Sequence, residues 1–489
     1  MRRCNRKYLS VCRAVLFTLA VLGILFALGC GGSSSSTPVQ QQPPPPPANT
    51  STQIRIGDAA VDRIVSFEVT LASPIVVTPS GGGANLNITV GNNRLELSHM
   101  SANFEPLGIL NLPQGSFSSA AITVTNPEMT FLDNAGVSHS IQSSASQSVT
   151  VNFTPALTIP ATPTVLNVDL NVANSISSDA SGNITGFNFT PASFNITTQP
   201  VAAQNQQDDD NGEIEDVTGL VTSTSGSSFT MKVGQTGAQL TFTTDSSTQF
   251  SDGLTTVAST LNQIVKVEGS TKSDGTLFAS EVEGIEDQNG NELEGVITTV
   301  TGNPATALTI LAQDGTGNGV TAANVGAAFP VDVSGVQASA YRVNQGGVDF
   351  SGLGPVGGNS LNFPFGPGSI FPGQRIEVES VNALPASGSV VAEKLKLQQQ
   401  TLTVTVTGIT SNSVPTTLAV TLPSDSYLAL LAGGTVNLTV WQQAGTNVRT
   451  PGKTIHVGDT IRVRGLLFCS HGPIPSLTGC NLIARRITP

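Results

Sequence analysis

The residues best suited to chemistry in this 489-residue sequence are its five cysteines and four histidines. The histidines stand at His99, His139, His456 and His471. They form no HExxH pair or other close metal-binding spacing, so each is interpreted as a surface or packing residue. The sequence also lacks the GxSxG pattern of a serine nucleophile. It therefore provides no catalytic residues, and we expect the protein not to be an enzyme.

Two cysteines near the C-terminus, Cys469 and Cys480, flank the loop SHGPIPSLTG between two strand-like segments. In an oxidising compartment such a pair can form a disulfide. The alternative is a metal site that also uses His471, but a closed zinc site takes four ligands. We therefore predict a disulfide and no metal at this position.

Cys30 follows a basic segment, residues 1–14, and an apolar segment, residues 15–28. The apolar segment is shorter than the roughly 20 residues that span a bilayer. This order resembles a bacterial lipoprotein signal, in which the cysteine is lipidated and becomes N-terminal. An uncleaved signal anchor is the alternative. Residues 31–52 are uncharged and rich in Ser and Pro, as expected of a tether that holds a folded body away from a membrane.

An acidic run in residues 201–216 is a candidate cation site. Its potential calcium ligands are Asp208, Asp209, Asp210 and Glu213. An EF-hand loop would need carboxylates where the sequence has Gln207 and Thr218, so that motif is excluded. A looser calcium site, with a related run at 286–294, stays open beside a solvated acidic linker. We expect the linker, and no cofactor other than this possible calcium.

The segment 402–489 carries six Lys and Arg against two Asp and Glu residues. Arg462 and Arg464 are two residues apart in a predicted strand, so they share one face. Together with Arg485 they are candidate contacts for an anionic envelope polymer. The alternatives are a solvated basic surface and docking to the acidic parts of the same chain.

A GxGxxG pattern occurs at Gly352, Gly354 and Gly357. A dinucleotide site requires a strand before this pattern and a helix after it. The following residues, NSLNFPFGPGSIFPG, cannot form a helix. We interpret the segment as a Gly-rich insertion in a β-domain.

Composition and patterning predict an all-β chain. Charged residues are 11 % and aromatic residues 5 %, and the formal charge of −12 becomes −17 once the five basic residues of the leader are removed. An acidic chain of this kind is a poor nucleic-acid binder. Apolar and polar residues alternate throughout residues 53–200, which predicts a β-sandwich of about seven to nine strands.

The remainder of the chain repeats itself in three units, 217–286, 293–400 and 402–489. The units begin alike with VTGLVTS, LEGVITT and VTVTGIT, and their later strands share the patterns VKVEG, IEVES and IRVRG. A repeated unit of five or six short strands predicts a small closed or partly open β-barrel, with an OB-like barrel as the best match. The second unit carries the Gly-rich insertion.

The segment IRIGDAAVDRIVSFEVTL and the pattern of residues 217–283 together carry a resemblance. They are similar to uncharacterised bacterial lipoproteins that combine an N-terminal carbohydrate-binding-like β-sandwich with small C-terminal β-barrels, both of unknown function. The resemblance implies a lipid-anchored protein of the cell envelope, at the outer membrane on its periplasmic or surface side. It implies no catalytic residues.

Three functions are compatible with these observations. The first is a non-catalytic envelope protein of structural or interaction type, whose partner is the membrane through its lipid. The second is a binding module for an envelope polysaccharide or anionic polymer, and the third is an envelope hydrolase. We expect the first, with a possible polysaccharide or protein partner and no nucleic acid.

Overall fold

The computed structural model contains four consecutive β-structured domains, which we call bodies. The described residues are 48–59, 62–90, 94–98, 104–201, 213–233, 238–251, 253–272, 274–284, 292–316, 325–382, 384, 388–410, 415–434, 436–448, 454–469 and 479–488. They belong to one compact unit, Pro47–Pro489. None of the helices in these ranges combines the length and the apolar character needed to cross a bilayer. The predicted all-β class is confirmed.

The first body is a β-sandwich. Its strands are β1 (Asn49–Ala59), β2 (Ile64–Pro79), β3 (Leu86–Ile88), β4 (Arg94–Glu96), β5 (Phe104–Pro113), β6 (Gly115–Leu132), β7 (Ser138–Gln142), β8 (Ser146–Ile159), β9 (Thr164–Asn171), β10 (Ile176–Ser178), β11 (Ile184–Phe187) and β12 (Phe194–Pro200). One sheet has the order β12-β9-β1-β5 and the other β3-β2-β6-β7, with β4 on β2, β8 on β6 and a separate β10–β11 hairpin.

The two large sheets of the sandwich enclose a shared apolar core. On β2 the alternating Phe67, Val69 and Leu71 point into it, as the period of two in a strand requires. The sandwich has twelve strands in the described residues, more than the seven to nine expected. The short strands β4, β7, β10 and β11 are three to five residues long and account for the larger number. Strand β1 begins inside the predicted tether.

The second body, barrel 1, contains six strands. They are β13 (Glu213–Ser225), β14 (Ser228–Val233), β15 (Ala238–Thr243), β16 (Gln249–Ser251), β17 (Ile264–Thr271) and β18 (Leu277–Gly284). The strand order is β15-β14-β13-β17-β18-β16, and a parallel pairing of β15 with β18 closes the barrel. Because β13 begins at Glu213, the end of the predicted acidic linker is part of a strand. The rings of Phe229 and Phe242 stack at 5.6 Å in the core.

The third body, barrel 2, repeats this topology. Its strands are β19 (Glu292–Thr301), β20 (Ala307–Thr316), β21 (Ala328–Asp332), β22 (Tyr341–Val343), β23 (Arg375–Ser380) and β24 (Val390–Leu397). Their order is β21-β20-β19-β23-β24-β22, closed by a parallel pairing of β21 with β24. Residues 344–374 lie between β22 and β23 and include the Gly-rich insertion.

The fourth body, barrel 3, has five strands in a closed ring. They are β25 (Gln400–Ile409), β26 (Thr416–Thr421), β27 (Asn437–Val448), β28 (Thr460–Cys469) and β29 (Cys480–Thr488). The order is β25-β26-β27-β29-β28, with β27 and β29 parallel. A short helix, α1 (Tyr427–Ala432), precedes β27. The Ser426 hydroxyl accepts a hydrogen bond from the Ala429 amide at its start, and Gly433 ends it with a φ of +68°.

The three barrels share one connectivity, with the third strand of each unit closing on the last. This is a small Greek-key barrel of the OB-like type. Glycines mark the irregular pairings: Gly269, Gly295 and Gly465 each stand at a register shift. At each of them a Cβ atom would overlap a carbonyl oxygen of the neighbouring strand. The recurring glycines of VEG, LEG and VRG therefore permit the bulges that bend the strands.

The apolar cores are not distributed evenly among the bodies. Barrel 1 has a core made only of its own residues, and so does the sandwich. Barrels 2 and 3 share a cluster that joins Phe363 and Phe365 to Phe468 and Ile483. A further cluster joins the core of barrel 3 to residues of barrel 2 and to the sandwich residue Val65.

Candidate functional site

The structure joins Cys469 and Cys480 by a disulfide, with their Cα atoms 4.0 Å apart. The two residues are also the last antiparallel pair of β28 and β29 before their connecting loop. The sequence and the structure therefore agree on this pairing. The lipidation candidate Cys30 lies outside the described residues.

The calcium candidates Asp208, Asp209 and Asp210 also lie outside the described residues, and Glu213 is placed only as a backbone position of β13. In the described parts of the chain, no group of three or more His, Cys, Asp or Glu side chains is arranged to hold a metal ion. His139 is bound to Asp133, with Nε2 2.8 Å from Oδ2, on an exposed hairpin. That histidine has a structural partner in its own turn.

The three candidate arginines do not form an exposed basic face. Arg464 and Arg485 are only 4 % and 8 % exposed. Arg462 is half-buried and faces the sandwich, where burial raises the pKa of Asp62 to about 6 while the Thr403 hydroxyl and the Arg462 charge oppose that rise. These positions correspond to the alternative in which the arginines dock against acidic parts of the same chain.

The GxGxxG segment connects two barrels. Its three glycines have φ angles of +75°, +77° and +78°, and no helix follows them. Phe363, just beyond them, packs edge-on against Trp441 at 5.5 Å and Phe468 at 5.7 Å, both of barrel 3. The insertion thus extends from barrel 2 to cover the outside of barrel 3.

Among the residues that the structure describes, a large assembly of ionisable side chains lies between the barrels, and we call it the charge cluster. Its members are Lys266, Glu268, Glu283, Glu292, Glu294, Arg375, Glu377, Lys396 and Arg485. At its centre Lys266 of barrel 1 extends into barrel 2, with Nζ 2.7 Å from Glu377 Oε2. The same ammonium lies 3.7 Å from Glu292 and 3.8 Å from Glu294. One lysine of barrel 1 therefore faces three carboxylates of barrel 2.

Three further ion pairs extend the charge cluster. Lys396 of barrel 2 pairs with Glu283 of barrel 1. Arg485 of barrel 3 reaches Glu268 of barrel 1, with Nη1 3.9 Å from Oε2. Within barrel 2, the Arg375 guanidinium lies 2.6 Å from Glu294. Barrel 1 consequently contacts both of its neighbouring barrels through pairs of opposite charge.

The segment Asn344–Asp349 lies where the three barrels meet. Gly346 is in contact with the Glu268 carboxylate, and Gly347 lies against the Arg485 guanidinium so closely that a Cβ atom would overlap either group. Asp349 Oδ2 accepts a hydrogen bond of 2.8 Å from the Gly445 amide of barrel 3. Two consecutive residues without side chains therefore allow a barrel 1 carboxylate and a barrel 3 guanidinium to meet.

Two buried carboxyls of barrel 2 share this environment but titrate in opposite directions. Burial and the negative charge of Glu377 raise the pKa of Glu292 well above its usual value, against the effect of Lys266. Burial alone would raise the pKa of Glu377, but Lys266 and Lys396 lower it far below its usual range. The hydrogen bond between the two carboxyl groups contributes to both shifts, because it raises the pKa of Glu292 and lowers that of Glu377.

A smaller polar contact joins barrel 1 to the sandwich. The Arg55 guanidinium, buried in β1, donates to the Thr271 hydroxyl at 3.1 Å and to Gln53 at 3.1 Å. The Thr271 hydroxyl in turn donates to Gln53 Oε1 at 2.7 Å. The turn that follows Thr271 brings Gly275 against Ser51 at the start of β1. This second joint of barrel 1 is polar as well.

A row of carboxylates crosses the outer face of the sandwich. Glu96, Glu68 and Glu128 stand side by side on β4, β2 and β6. Arg94 Nε lies 2.5 Å from Glu68, and Arg94 Nη2 lies 3.8 Å from Glu128. Burial raises the pKa of Glu68 to about 7 despite the positive charge of Arg94. The row therefore places three acidic side chains beside one guanidinium.

The charge cluster does not have the arrangement of a catalytic centre. A general acid or base must reach a substrate, whereas Glu292 and Glu377 are buried and directed at cations of the same chain. Their geometry instead neutralises charge between packed bodies. The sequence interpretation missed the cluster, because the run at 286–294 was considered only for calcium. The available signal was the charged residues that alternate with apolar ones in VKVEG and IEVES.

Comparison with known proteins adds one domain match. Residues 218–283 match the family described as "Domain of unknown function (DUF5666)", and these residues lie within barrel 1. A comparison with curated proteins finds no match. The solved structure "drosophila Unr CSD456" is similar over 56 % of this chain and 96 % of that one, with 9 % identity and a TM-score of 0.13. A score of that size supports no conclusion about fold or function.

Proposed function

We propose that the protein is a non-catalytic, lipid-anchored protein of the bacterial cell envelope, with a structural or interaction role. The observation that carries the non-catalytic part is the use of its ionisable residues. In the charge cluster, carboxylates and cations of different bodies are buried and paired, so they join domains instead of facing a substrate. The lipid anchor rests on the leader and Cys30.

The anchor is tested by expressing the full chain and a Cys30→Ser variant in a bacterium, with Cys12→Ser as the matched control. Cys12 lies inside the leader and takes no lipid in this proposal. We expect the native chain and the control to incorporate labelled fatty acid and to sediment with membranes, and Cys30→Ser to lose the label. Label retained by Cys30→Ser would contradict the proposal.

The second candidate, an anionic-polymer binder, loses its best surface because Arg464 and Arg485 are buried. Co-sedimentation of the full chain with peptidoglycan, surface polysaccharide and outer-membrane vesicles tests both proposals. We expect no pelleting with the isolated polymers and pelleting with vesicles through the lipid. Salt-sensitive pelleting with one polymer would instead support the binding function.

A further inference from the structure

Barrel 1 is attached to its surroundings differently from the other bodies. Its apolar core contains only its own residues, from Ile214 to Val282. Barrels 2 and 3 and one face of the sandwich are joined by shared apolar clusters, in which Val65, Val296 and Leu402 belong to three different bodies. The family match at residues 218–283 also coincides with barrel 1. Among the described residues, barrel 1 thus shares no buried apolar cluster with another body.

The side-chain ion pairs and hydrogen bonds between barrel 1 and its neighbours lie in the charge cluster and at Thr271, while β13 and β15 also pack along β5 of the sandwich. Lys266 meets Glu377 of barrel 2, Glu283 meets Lys396, and Glu268 meets Arg485 of barrel 3. At the sandwich, Thr271 meets Arg55. Each body in contact with barrel 1 therefore presents a cation or a carboxylate to it.

Polar and apolar interfaces between domains differ in the free energy that their separation costs. Exposed apolar surface costs free energy in proportion to its area, so a shared apolar cluster does not separate easily. Buried ions, by contrast, regain their hydration when released, which offsets most of the attraction that they lose. A small, polar interface between domains permits relative motion by default.

We infer that barrel 1 is a reversibly docking module, held by the charge cluster against a block formed by the sandwich, barrel 2 and barrel 3. Release exposes the face of β17 and β18 that carries Lys266 and Glu268, together with the Glu377 and Lys396 face of barrel 2. Docking hides both faces. This inference does not depend on the proposed function.

Lysine footprinting of the full chain tests the inference. An amine-reactive ester labels lysines according to their exposure, and peptide mass spectrometry gives each rate. In the native chain, Lys266 and Lys396 should react roughly tenfold more slowly than the exposed Lys232 of the same barrel 1, because both lie in the interface. Trp441 fluorescence reports whether the block itself stays folded, since Trp441 packs on Phe363.

The decisive variant is Glu268→Lys, which places two cations against each other at Arg485. It should raise the labelling of Lys266 and Lys396 by roughly tenfold, because an unmatched charge disfavours the docked state. The Trp441 emission should stay unchanged. Glu393→Lys makes the same charge change at an exposed position and should leave both rates as in the native chain. The exchange Glu268→Lys with Arg485→Glu should restore protection.

The inference is overturned if Glu268→Lys leaves Lys266 and Lys396 as protected as in the native chain. It is equally overturned if their labelling rises only together with a change in Trp441 emission, since barrel 1 would then open only when the block unfolds. Failure of the charge exchange to restore protection would show that charge pairing does not hold the module.

Discussion

At the scale of single residues, Glu68 shows how burial turns a carboxyl into a pH-dependent element of stability. Its usual pKa is 4.5, and burial among Arg94, Glu96 and Glu128 raises it to about 7 in the folded chain. Between these values the folded state binds more protons than the unfolded one. The contribution of Glu68 to stability therefore falls as the pH rises from about 4.5 to about 7.

Replacement of Glu68 by Gln keeps the shape of the side chain and removes this titration. We expect the free energy of unfolding of Glu68→Gln, relative to the native chain, to increase from pH 5 to pH 8 by at most about 3 kcal/mol. Urea unfolding at the two pH values measures it. Asp332→Asn is the control, because hydrogen bonds from the Ser334 hydroxyl and amide lower the pKa of Asp332, so that it titrates below this range. If the free energies of unfolding of Glu68→Gln and the native chain differed equally at both pH values, the raised pKa of Glu68 would be contradicted.

Gly295 occupies a position where the structure leaves no space for a side chain. It stands at the β19 bulge, where a Cβ atom would overlap the Leu311 carbonyl oxygen of β20. We expect Gly295→Ala to lower the free energy of unfolding by about 3 kcal/mol, because the strands on both sides prevent the backbone from moving. Gly335→Ala is the matched control in the same barrel, since no heavy atom lies within 4 Å of the Cβ position.

Urea unfolding followed by Trp441 fluorescence measures both glycine variants, because barrels 2 and 3 share an apolar cluster. The control should differ from the native chain by less than about 0.5 kcal/mol. Equal effects of the two substitutions would mean that the bulge tolerates a side chain.

At the scale of the elements, the disulfide closes the β28–β29 hairpin beside its loop. Both cysteines are buried, and their strands β28 and β29 are neighbours in the closed ring of barrel 3. We expect the free energy of unfolding of the double variant Cys469→Ala with Cys480→Ala to be about 2–3 kcal/mol lower. The main reason is that the unfolded chain gains conformational entropy without the disulfide. Denaturant unfolding measures the loss, and the native chain under reducing conditions should reproduce it. A native chain insensitive to reduction would contradict this contribution.

Elements were the level at which sequence predicted most. Alternation and the recurring VTG and VEG patterns predicted strands and three barrels, because each barrel needs its bulge glycines and its inward apolar residues. The short strands β4 and β10 were not predicted, since three residues hardly show a period, whereas Leu86, Ile88 and Val90 did indicate β3. The apolar content of the Gly-rich insertion did not reveal that Phe363 packs on a different barrel.

The direction of single charged residues was the part that sequence could not provide. Arg464 and Arg485 looked like an exposed basic face because outward positions of a lone strand normally meet solvent. Both are buried, and Arg485 is so because Glu268 of barrel 1 and Gly347 of barrel 2 pack against it, which are contacts far apart in sequence. Glu292 looked like part of an acidic linker for the same reason. Spacing alone is identical in a solvated run and in a buried strand.

At the scale of the whole molecule, the distribution of apolar cores determines which bodies unfold together. Bodies that share a cluster lose common contacts when either one opens, so they should behave as one cooperative unit. Barrels 2 and 3 are of this kind through Phe363 and Phe468, whereas barrel 1 keeps Leu277 within its own core. We therefore expect calorimetry of the full chain to show a separate transition for barrel 1.

Two core truncations distinguish the transitions. Leu277→Ala should lower the free energy of unfolding of barrel 1 alone, and with it the temperature of that transition. Phe363→Ala should do the same to the joined barrels 2 and 3 alone. We expect each loss to be about 3 kcal/mol. Both side chains are fully buried, so the substitutions are matched in kind and serve as controls for each other. If both variants shifted every transition equally, barrel 1 would belong to the same cooperative unit as the rest. The polar contacts at the surface of barrel 1 would then couple its unfolding to that of the other bodies as strongly as the apolar clusters do.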